Sequence, residues 1–368
     1  MVQVSDIPGR NSAEPTVWRI GYQGRDLTAE LSPYVLGVTW TDYLSGQSDE
    51  ISIELEDTDD KWLGVWYPVK GDALTLSMTY PGQAPLNCGS FEVDEINANG
   101  PPSVVVIRGL SAGVSKGVRT RKGVAYENTT LAEIARQVAK RNKFELVGKI
   151  RELRIDRITQ FQERDLAFIT RLGRQYGYAV KLRENKLIFT AKAALRDGIP
   201  VRSIRRQECS RYDLKDKIKD VYRTAKNTHH DPDTQKTIRS QAQDTRAPDS
   251  SAGMETSADE LRINQRAPDA DSAQAQADAA LGDANDERAG GSLTLPADRR
   301  LVAGAVVTLD ASWGRFAGEY LINQARHNKQ RSSGTTADIE IRRVTPAPVP
   351  PIPTLAGESS QSSSEATA

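Results

Sequence analysis

The stretch QFQERDLAFITRLGRQYGYAV, residues 160–180, carries the clearest fold signal in the chain. Its apolar residues recur every three or four positions: Leu166, Ile169, Leu172 and Tyr176. This spacing predicts the buried face of an amphipathic helix. Gly177 follows at the position where helices commonly end in a left-handed residue. The stretch therefore predicts a helix that packs against a core and then stops sharply.

Two carboxylates in the same stretch, Glu163 and Asp165, stand close to three arginines, namely Arg164, Arg171 and Arg174. They could form an acid/base pair, but residues two apart on a helix point roughly 200° from each other. Acidic residues are also favoured in the first turn of a helix by its macrodipole. We expect these charged side chains to cap and solvate the helix, not to act on a substrate.

The flanking sequence predicts a small α/β domain at 123–200. YAVKL and KLIFT, separated by a turn at Arg183 to Asn185, indicate a β-hairpin. Upstream, NTTLAEIARQVAKRN has helical spacing of its apolar residues, and Thr130 and Glu133 stand in capping-box register at its start.

A first tube-like β-domain is predicted at 15–122, after a flexible N-terminus at 1–14. ISIEL and LTLSMTY alternate apolar and polar residues, which is typical of strands with one buried face. SVVVI, residues 103–107, lacks polar alternation and predicts a strand covered on both faces.

A second β-domain is predicted at 201–345, with a helical or loop insertion at about 241–291. The insertion is rich in alanine, so its helix could bury only alanine methyls and Leu281, and Gly290 and Gly291 are expected to end it. The Pro/Ser-rich tail at 346–368 is expected to be extended or disordered. The fold class is thus α+β and β-rich: two tube-like β-barrel or sandwich domains flank a small α/β domain.

The composition of the chain argues against tight binding of nucleic acid. The 368 residues contain 49 Lys plus Arg and 49 Asp plus Glu, so the formal net charge is zero. Proteins that grip nucleic acid tightly usually carry a basic excess. Cys88 and Cys209 are far apart and indicate reduced thiols. The sequence has no recognisable signal peptide and no apolar run that could span a membrane, so we expect no stable membrane insertion.

The remaining candidates for chemistry favour structural interpretations. LEDTDDKW at 55–62 lacks the glycine and terminal glutamate of a calcium loop and predicts an acidic turn. His229, His230 and Asp231 lack zinc-site spacing and predict a solvated turn before Pro232. We expect no catalytic residue, no cofactor and no metal site.

Two features suggest partners. The tryptophans are expected to be core or interface anchors, although they could stack on sugars: Trp18, Trp40, Trp62, Trp66 and Trp313. Residues 201–220 carry seven basic and four acidic side chains and predict a solvated face or a contact for an acidic partner.

The motifs in their order resemble the phage late control D family, baseplate hub proteins of contractile tails, and the hub part of type VI secretion spike proteins. ITQFQERDLAFITRLGRQYGYAV with KLIFT resembles the family signature. DLTAELSPYVLGVTWTDYLSGQSDEISIELEDTDDKW resembles the first β-domain, and SADELRINQRAPDADSAQAQADAAL with RLVAGAVVTLDA and FAGEYLINQARHNKQ resembles the closing part. The resemblance covers roughly residues 15–345.

The resemblance implies a homotrimer whose two β-domains per subunit form a pseudo-six-fold ring with a central channel. Such a ring joins a three-fold central spike protein to the six-fold tail tube or its initiator. Further implied partners are the tape-measure protein, baseplate wedge proteins, and DNA only in transit. The implied location is the tail baseplate of a virion or a tailocin particle, assembled in the bacterial host cytoplasm. The tail after 345 is short, so the needle would be a separate protein.

The residues alone leave two other functions open. TLAEIARQVAKRN resembles the first helix of lysin-motif domains, which with the tryptophans favours a cell-wall glycan-binding module. A tail-associated wall hydrolase would need carboxylates or a metal set across a cleft.

Overall fold

The computed structural model describes residues 16–111, 120–217, 221–231, 236–244, 260–332 and 334–344. The strands of the first part are β1 Val17–Tyr22, β2 Arg25–Asp26, β3 Val35–Tyr43, β4 Glu50–Glu56, β5 Ala73–Thr79, β6 Leu86–Asn99 and β7 Val104–Ser111. Those of the middle are β8 Arg121–Thr130, β9 Glu145–Val147, β10 Arg154–Arg164, β11 Tyr178–Arg183 and β12 Lys186–Ala191. The last part contains β13 Pro200–Ile204, β14 Arg211–Asp216, β15 Thr224–Asp231, β16 Lys236–Gln243, β17 Glu260–Ile263, β18 Ala289–Pro296, β19 Val306–Leu309, β20 Gly318–Gln330 and β21 Gly334–Arg343.

Five α-helices lie in the described part of the chain: α1 Thr28–Leu31, α2 Leu131–Arg141, α3 Asp165–Gln175, α4 Lys192–Arg196 and α5 Ala270–Asp286. Two 3-10 helices, Arg206–Glu208 and Ala311–Phe316, accompany them. Strand content far exceeds helix content, which confirms the β-rich α+β class.

One 13-stranded sheet contains strands of both β regions, while β16-β15-β17 form a separate small sheet. Its main path runs β14-β18-β21-β20-β3-β4-β7-β6-β5-β1-β2, and β13 and β19 attach to it through β20. The two regions meet where β20 pairs antiparallel with β3, in a register that sets His327 opposite Trp40. The sheet is therefore continuous from one β region into the other.

The middle region has its own core between α2, α3 and two small sheets, β10-β8 and β11-β12-β9. Ile169, Leu172 and Tyr176 are buried as the spacing predicts, and Leu166 packs against the same core. Phe168, which the spacing missed, is also fully buried. The predicted end of α3 is confirmed, since Gly177 has φ +79° and α3 ends at Gln175.

Helix α5 forms within the insertion and buries alanines and Leu281 as predicted, but it also buries the polar residues Ser272, Gln276 and Asn285. It packs on β15, β16 and β17, whose small core contains Ala225, Ala242 and Ile263. The predicted stop at Gly290 and Gly291 is wrong. The helix ends at Asp286, and the two glycines lie in β18, where the carbonyls of neighbouring strands leave no room for a Cβ atom.

Two further predictions are wrong. SVVVI is not covered on both faces, because β7 alternates: Val105 and Ile107 are buried while Val104 and Val106 are only half-buried. His229 to Asp231 do not form a turn but end strand β15, which pairs with β16 in a register that sets His229 opposite Ile238. Antiparallel pairing satisfies the backbone there.

The domain boundaries at 122, 200 and 345 remain predictions. The predicted flexible N-terminus at 1–14 and the predicted Pro/Ser-rich tail at 346–368 lie outside the described residues.

Candidate functional site: the polar face of the long sheet

Eight strands of the long sheet, β14-β18-β21-β20-β3-β4-β7-β6, share one apolar face. Across the first four strands the pairs Tyr212–Leu293, Leu293–Ile339 and Ile339–Ala325 place these side chains on one side. Across the last four, Val38, Ile53, Ile107 and Ile96 lie opposite one another in a row. His327 opposite Trp40 joins the two rows, so both β cores lie on the same side of the sheet.

The opposite side is polar, because neighbours along a strand point to alternate faces. One row there contains Thr39, Ser52, Arg108 and Glu95. A second connects Thr294, Asp338, Arg326 and Thr41. The apolar exceptions on this side include Val104 and Val106 on β7 and Leu321 on β20, which lies opposite Arg342. We call this side the polar face.

Hydrogen bonds tie the polar face together across the junction of the β regions. Thr294 Oγ1 donates to Asp338 Oδ1 at 2.6 Å, and Asn328 Nδ2 donates to Asp338 Oδ2 at 2.7 Å. Thr39 Oγ1 donates to Asn328 Oδ1 at 3.0 Å. The ladder crosses four consecutive strands, β18, β21, β20 and β3, and so holds the two regions in one register.

Charges of both signs are interspersed on the polar face. The acidic side chains include Glu50, Glu54, Glu95, Asp213, Asp338 and Glu340. The basic ones include Arg108, Arg211, Lys215 and Arg326. Tight binding of a nucleic acid requires cations that neutralise phosphates. With acidic groups in the majority among these residues, the face is suited to lie beside a polyanion without holding it.

Beneath the junction, His327 is fully buried on the apolar face. Its Nε2 lies 2.7 Å from the Leu301 carbonyl and its Nδ1 lies 2.6 Å from the Tyr80 hydroxyl. Burial lowers the pKa of His327 below its usual value. The neutral ring matches these two partners, since one nitrogen can donate to the carbonyl while the other accepts from the hydroxyl.

A charged cluster joins all three parts of the chain. Lys181 on β11 forms ion pairs with Asp42 on β3 and, at 2.8 Å, with Asp49. Asp42 also accepts from the Ala303 N–H at 2.9 Å, and Asp49 accepts from the Tyr43 N–H at 3.1 Å. Burial, aided by the nearby charge of Asp42, raises the pKa of Asp49 to about 6 although Lys181 acts to lower it.

The structure corrects the prediction that Asp165 is solvated. Asp165 is buried at the start of α3, within 2.6–2.8 Å of four donors: Lys122, Arg141, Asn142 and Gln160. Burial opposes its ionisation, but these donors outweigh burial and hold the pKa of Asp165 below its usual value. Glu163, in contrast, lies on β10 and pairs with Arg171 at 3.1 Å near the surface. The two carboxylates have separate partners, which no feature of the sequence spacing revealed.

Other predicted site residues have structural contacts. Asp57 is buried in its acidic turn and accepts from the Trp62 N–H at 3.0 Å. Arg202, in the basic segment, forms ion pairs with Glu208 and Asp298 and is not fully solvated. Within the described ranges, no group of three or more His, Cys, Asp or Glu could hold a metal ion. None of the helices described is long and apolar enough to cross a membrane.

Four of the five tryptophans are buried, as expected of core residues. Trp66 is 44% exposed and lies in the segment 63–69, where Leu63, Val65, Tyr67 and Val69 are exposed as well. Its ring packs edge-on against Tyr34 and Trp62, with centroids 5.8 and 5.3 Å away. This apolar segment is a second surface that could meet a partner.

Several solved structures share this fold. The 43 kDa tail protein of prophage MuSo2 from Shewanella oneidensis superposes with a TM-score of 0.65 at 16% identity, over 89% of this chain and 98% of the other. An Escherichia coli protein described as a component of the type VI secretion system superposes with a TM-score of 0.52 at 13% identity, over 86% of this chain and 76% of the other. At these identities the likeness concerns the fold alone.

Sequence comparison identifies the family. The model of the phage tail baseplate hub (GPD) family matches residues 103–332, more than half of the chain. The chain belongs to this family, which confirms the resemblance seen in its motifs. It is 33% identical over 221 residues to a probable baseplate hub protein of Escherichia phage 186, covering 58% of this chain and 56% of that protein. The match thus spans about half the length of that relative.

Proposed function

We propose that this chain is a structural hub of a contractile phage tail or a tail-like bacteriocin. It assembles as a homotrimer that joins the three-fold central spike to the six-fold tail tube and encloses a channel. Two β regions in each of three subunits supply six similar wall segments, which converts one symmetry into the other. The hub acts by assembly and not as an enzyme.

One observation carries the proposal: a single sheet runs through both β regions and carries most of its apolar side chains on the same side. The polar face, where Arg326 and Glu340 are exposed, is then the surface that can line a water-filled channel. Its mixed charges, with acidic groups in excess among those named above, let DNA or a tape-measure protein pass without tight binding. The proposed partners are the spike, the tube or its initiator, the tape-measure protein and the baseplate wedges.

The glycan-binding alternative has one observation in its favour, the exposed ring of Trp66 beside Tyr67. A peptidoglycan pull-down separates the two functions. A hub stays in the supernatant, whereas a glycan-binding module sediments and loses that property in Trp66→Ala.

The test of the proposal is the mass of the purified protein, by light scattering, with and without its spike. We expect a particle of three times the 40.4 kDa chain, alone or once the spike is added. A chain that stays monomeric at high concentration and does not bind the spike would contradict the proposal.

A further inference from the structure

Charge is unevenly distributed along the chain. Residues 120–200, which contain the middle region, carry 18 Lys plus Arg and 9 Asp plus Glu, whereas residues 16–111 carry 5 and 14. The zero net charge of the whole chain therefore conceals a basic middle region beside an acidic first β region. Strong asymmetry of this kind is typical of a basic part that meets an anionic polymer or surface.

A β-bulge in this basic region exposes a phenylalanine. Strand β10 pairs with β8 in an antiparallel ribbon, and Phe161 and Gln162 of β10 lie opposite Gly123 of β8 alone. Gln162 has a φ of +50°, a conformation that residues other than glycine rarely adopt, and bulges commonly redirect side chains. Phe161 is 77% exposed, more than any other aromatic side chain in the described ranges. Its opposite neighbour is a glycine, so no side chain from β8 covers the ring at that position.

Two arginines lie next to the bulge, at the end of the ribbon. Arg164 is directly opposite Arg121, and both are exposed. Arg121 is two residues from Gly123 and therefore lies on the same side of β8. Like charges that face each other across an antiparallel pair are destabilising. An anion held between the two guanidinium groups would remove this repulsion.

The carboxylates next to these arginines have other partners. Glu163 and Asp165, on either side of Arg164 in the sequence, are paired with the cations described above. Within the part of the chain that the structure describes, neither Arg121 nor Arg164 forms an ion pair. The ribbon thus ends in two uncompensated positive charges beside an exposed apolar ring.

We propose that this end of the ribbon, formed by Arg121, Gly123, Phe161, Gln162 and Arg164, binds the surface of an anionic phospholipid bilayer. We call it the ribbon end. The two arginines contact lipid phosphates, and the Phe161 ring enters the layer between headgroups and acyl chains. Binding of this kind grows with the apolar area that enters the layer and with the attraction of cations to anionic lipids. It is a reversible contact beyond the proposed function, whose partners are tail proteins and DNA in transit.

A bilayer suits the ribbon end better than a nucleic acid does. Proteins that bind single strands combine a basic groove with several aromatic rings on which successive bases stack. The ribbon end has one exposed ring, and this ring lies at a bulge of a two-stranded ribbon. An apolar ring between cations matches the order of layers in a membrane, where charged phosphates lie above hydrocarbon.

The experiment measures sedimentation of the full chain with vesicles of phosphatidylethanolamine and phosphatidylglycerol, with and without its spike. We expect binding that is lost on vesicles of phosphatidylcholine alone and is weakened by salt, because exposed charges are screened. Arg121→Glu together with Arg164→Glu should lower the partition coefficient by at least about ten-fold. The matched control, Lys149→Glu with Arg151→Glu, makes the same charge change at exposed residues just before β10 and should lower it less than about two-fold.

Phe161→Ser tests the apolar part of the contact. It should lower the partition coefficient about ten-fold, because less apolar area enters the bilayer. Ile199→Ser, at a position that is 89% exposed just before β13, should leave binding unchanged. Phe161→Trp should retain binding, and its fluorescence, taken as the difference from the parent, should shift to the blue with anionic vesicles.

Vesicle binding that survives the changes at the two arginines and at Phe161, or that disappears when the spike is added, overturns the proposal. A single-stranded oligonucleotide that displaces the vesicles and requires the same arginines also overturns it. Light scattering separates this inference from the proposed function, since every variant should form the same particle as the parent. A trimer that binds no vesicles removes the lipid contact while the hub function stands. A variant that no longer forms the trimer would show that the ribbon end is a contact between subunits, which contradicts the lipid proposal.

Discussion

The middle region and the junction between regions shift the pKa of a buried carboxylate in opposite directions. Asp165, inside the middle region, has four donors and a pKa held below its usual value. Asp49, at the junction, shares Lys181 with Asp42 and has a pKa raised to about 6. The ionised form is stabilised at Asp165 and disfavoured at Asp49.

The two carboxylates connect different parts of the chain. The donors to Asp165 come from β8, α2 and β10, so the cluster fixes one region's own architecture. The junction cluster joins β3, β11 and the 303 loop, and it leaves the second carboxylate oxygen of Asp49 without a hydrogen-bond partner in the described structure. The buried charge is thus compensated by four donors inside the middle region and less completely at the junction.

The largest expected effect comes from Asp165→Asn. Removing the charge leaves Lys122 and Arg141 without their counter-ion and should destabilise the middle region by about 3 kcal/mol. All five tryptophans lie outside 123–200, so fluorescence would miss this change. Hydrogen exchange in peptides from α2 and α3 should instead accelerate about 100-fold, since about 1.4 kcal/mol corresponds to ten-fold.

The matched control is Glu163→Gln. Its partially exposed pair with Arg171 should be worth less than about 1 kcal/mol. Equal effects of the two substitutions would remove the distinction between the buried and the surface carboxylate.

The junction should respond to pH with a definite sign. Because the folded pKa of Asp49 lies above the unfolded value of 3.8, the folded state binds the extra proton between pH 3.8 and about 6. Stability from this group therefore decreases as pH rises through that window. Asp49→Asn, which mimics the neutral acid, should be more stable than the parent by about 2 kcal/mol at pH 8.

The parent and the variant are compared by thermal unfolding at pH 8 and pH 5. The difference between their free energies of unfolding should be smaller at pH 5. Contributions common to both proteins, such as that of His327, cancel in the difference. A variant that is less stable than the parent at pH 8 would mean that the bond to Lys181 outweighs the burial of Asp49.

Apart from the control Glu163→Gln, the smallest effect is expected for Thr130→Ala at the start of α2. Thr130 Oγ1 accepts from the Glu133 N–H at 3.2 Å, and loss of this cap should cost about 1 kcal/mol. Hydrogen exchange should accelerate in the first turn of α2 and not in α3. Acceleration that extends evenly to α3 would show that the two helices unfold as one unit.

Sequence periodicity predicted the local elements well where one face is buried. The stripes of α2 and α3, the alternation of β4 and β5 and the glycine after α3 follow from residue spacing. The α5 insertion was also predictable, because alanine-rich sequence favours helix and Leu281 is its one large apolar residue. Family motifs then supplied the order of the parts.

Contacts between residues distant in sequence were not predictable in this way. The pairing of β20 with β3, the meeting of Asp42 with Lys181 and the four donors of Asp165 depend on tertiary packing. Local signals also failed where long-range pairing outweighed them, as at Gly290 and at His229. The polar face is visible only once the strand register is known.

The most direct test of the central claim is a cryo-electron microscopy map of the chain bound to its spike, at a resolution that separates strands. We predict a closed ring of three copies whose channel is lined by the polar face, with Thr39, Asn328 and Asp338 pointing inward. A ring lined by the middle region, or a polar face turned away from the channel, would contradict this account.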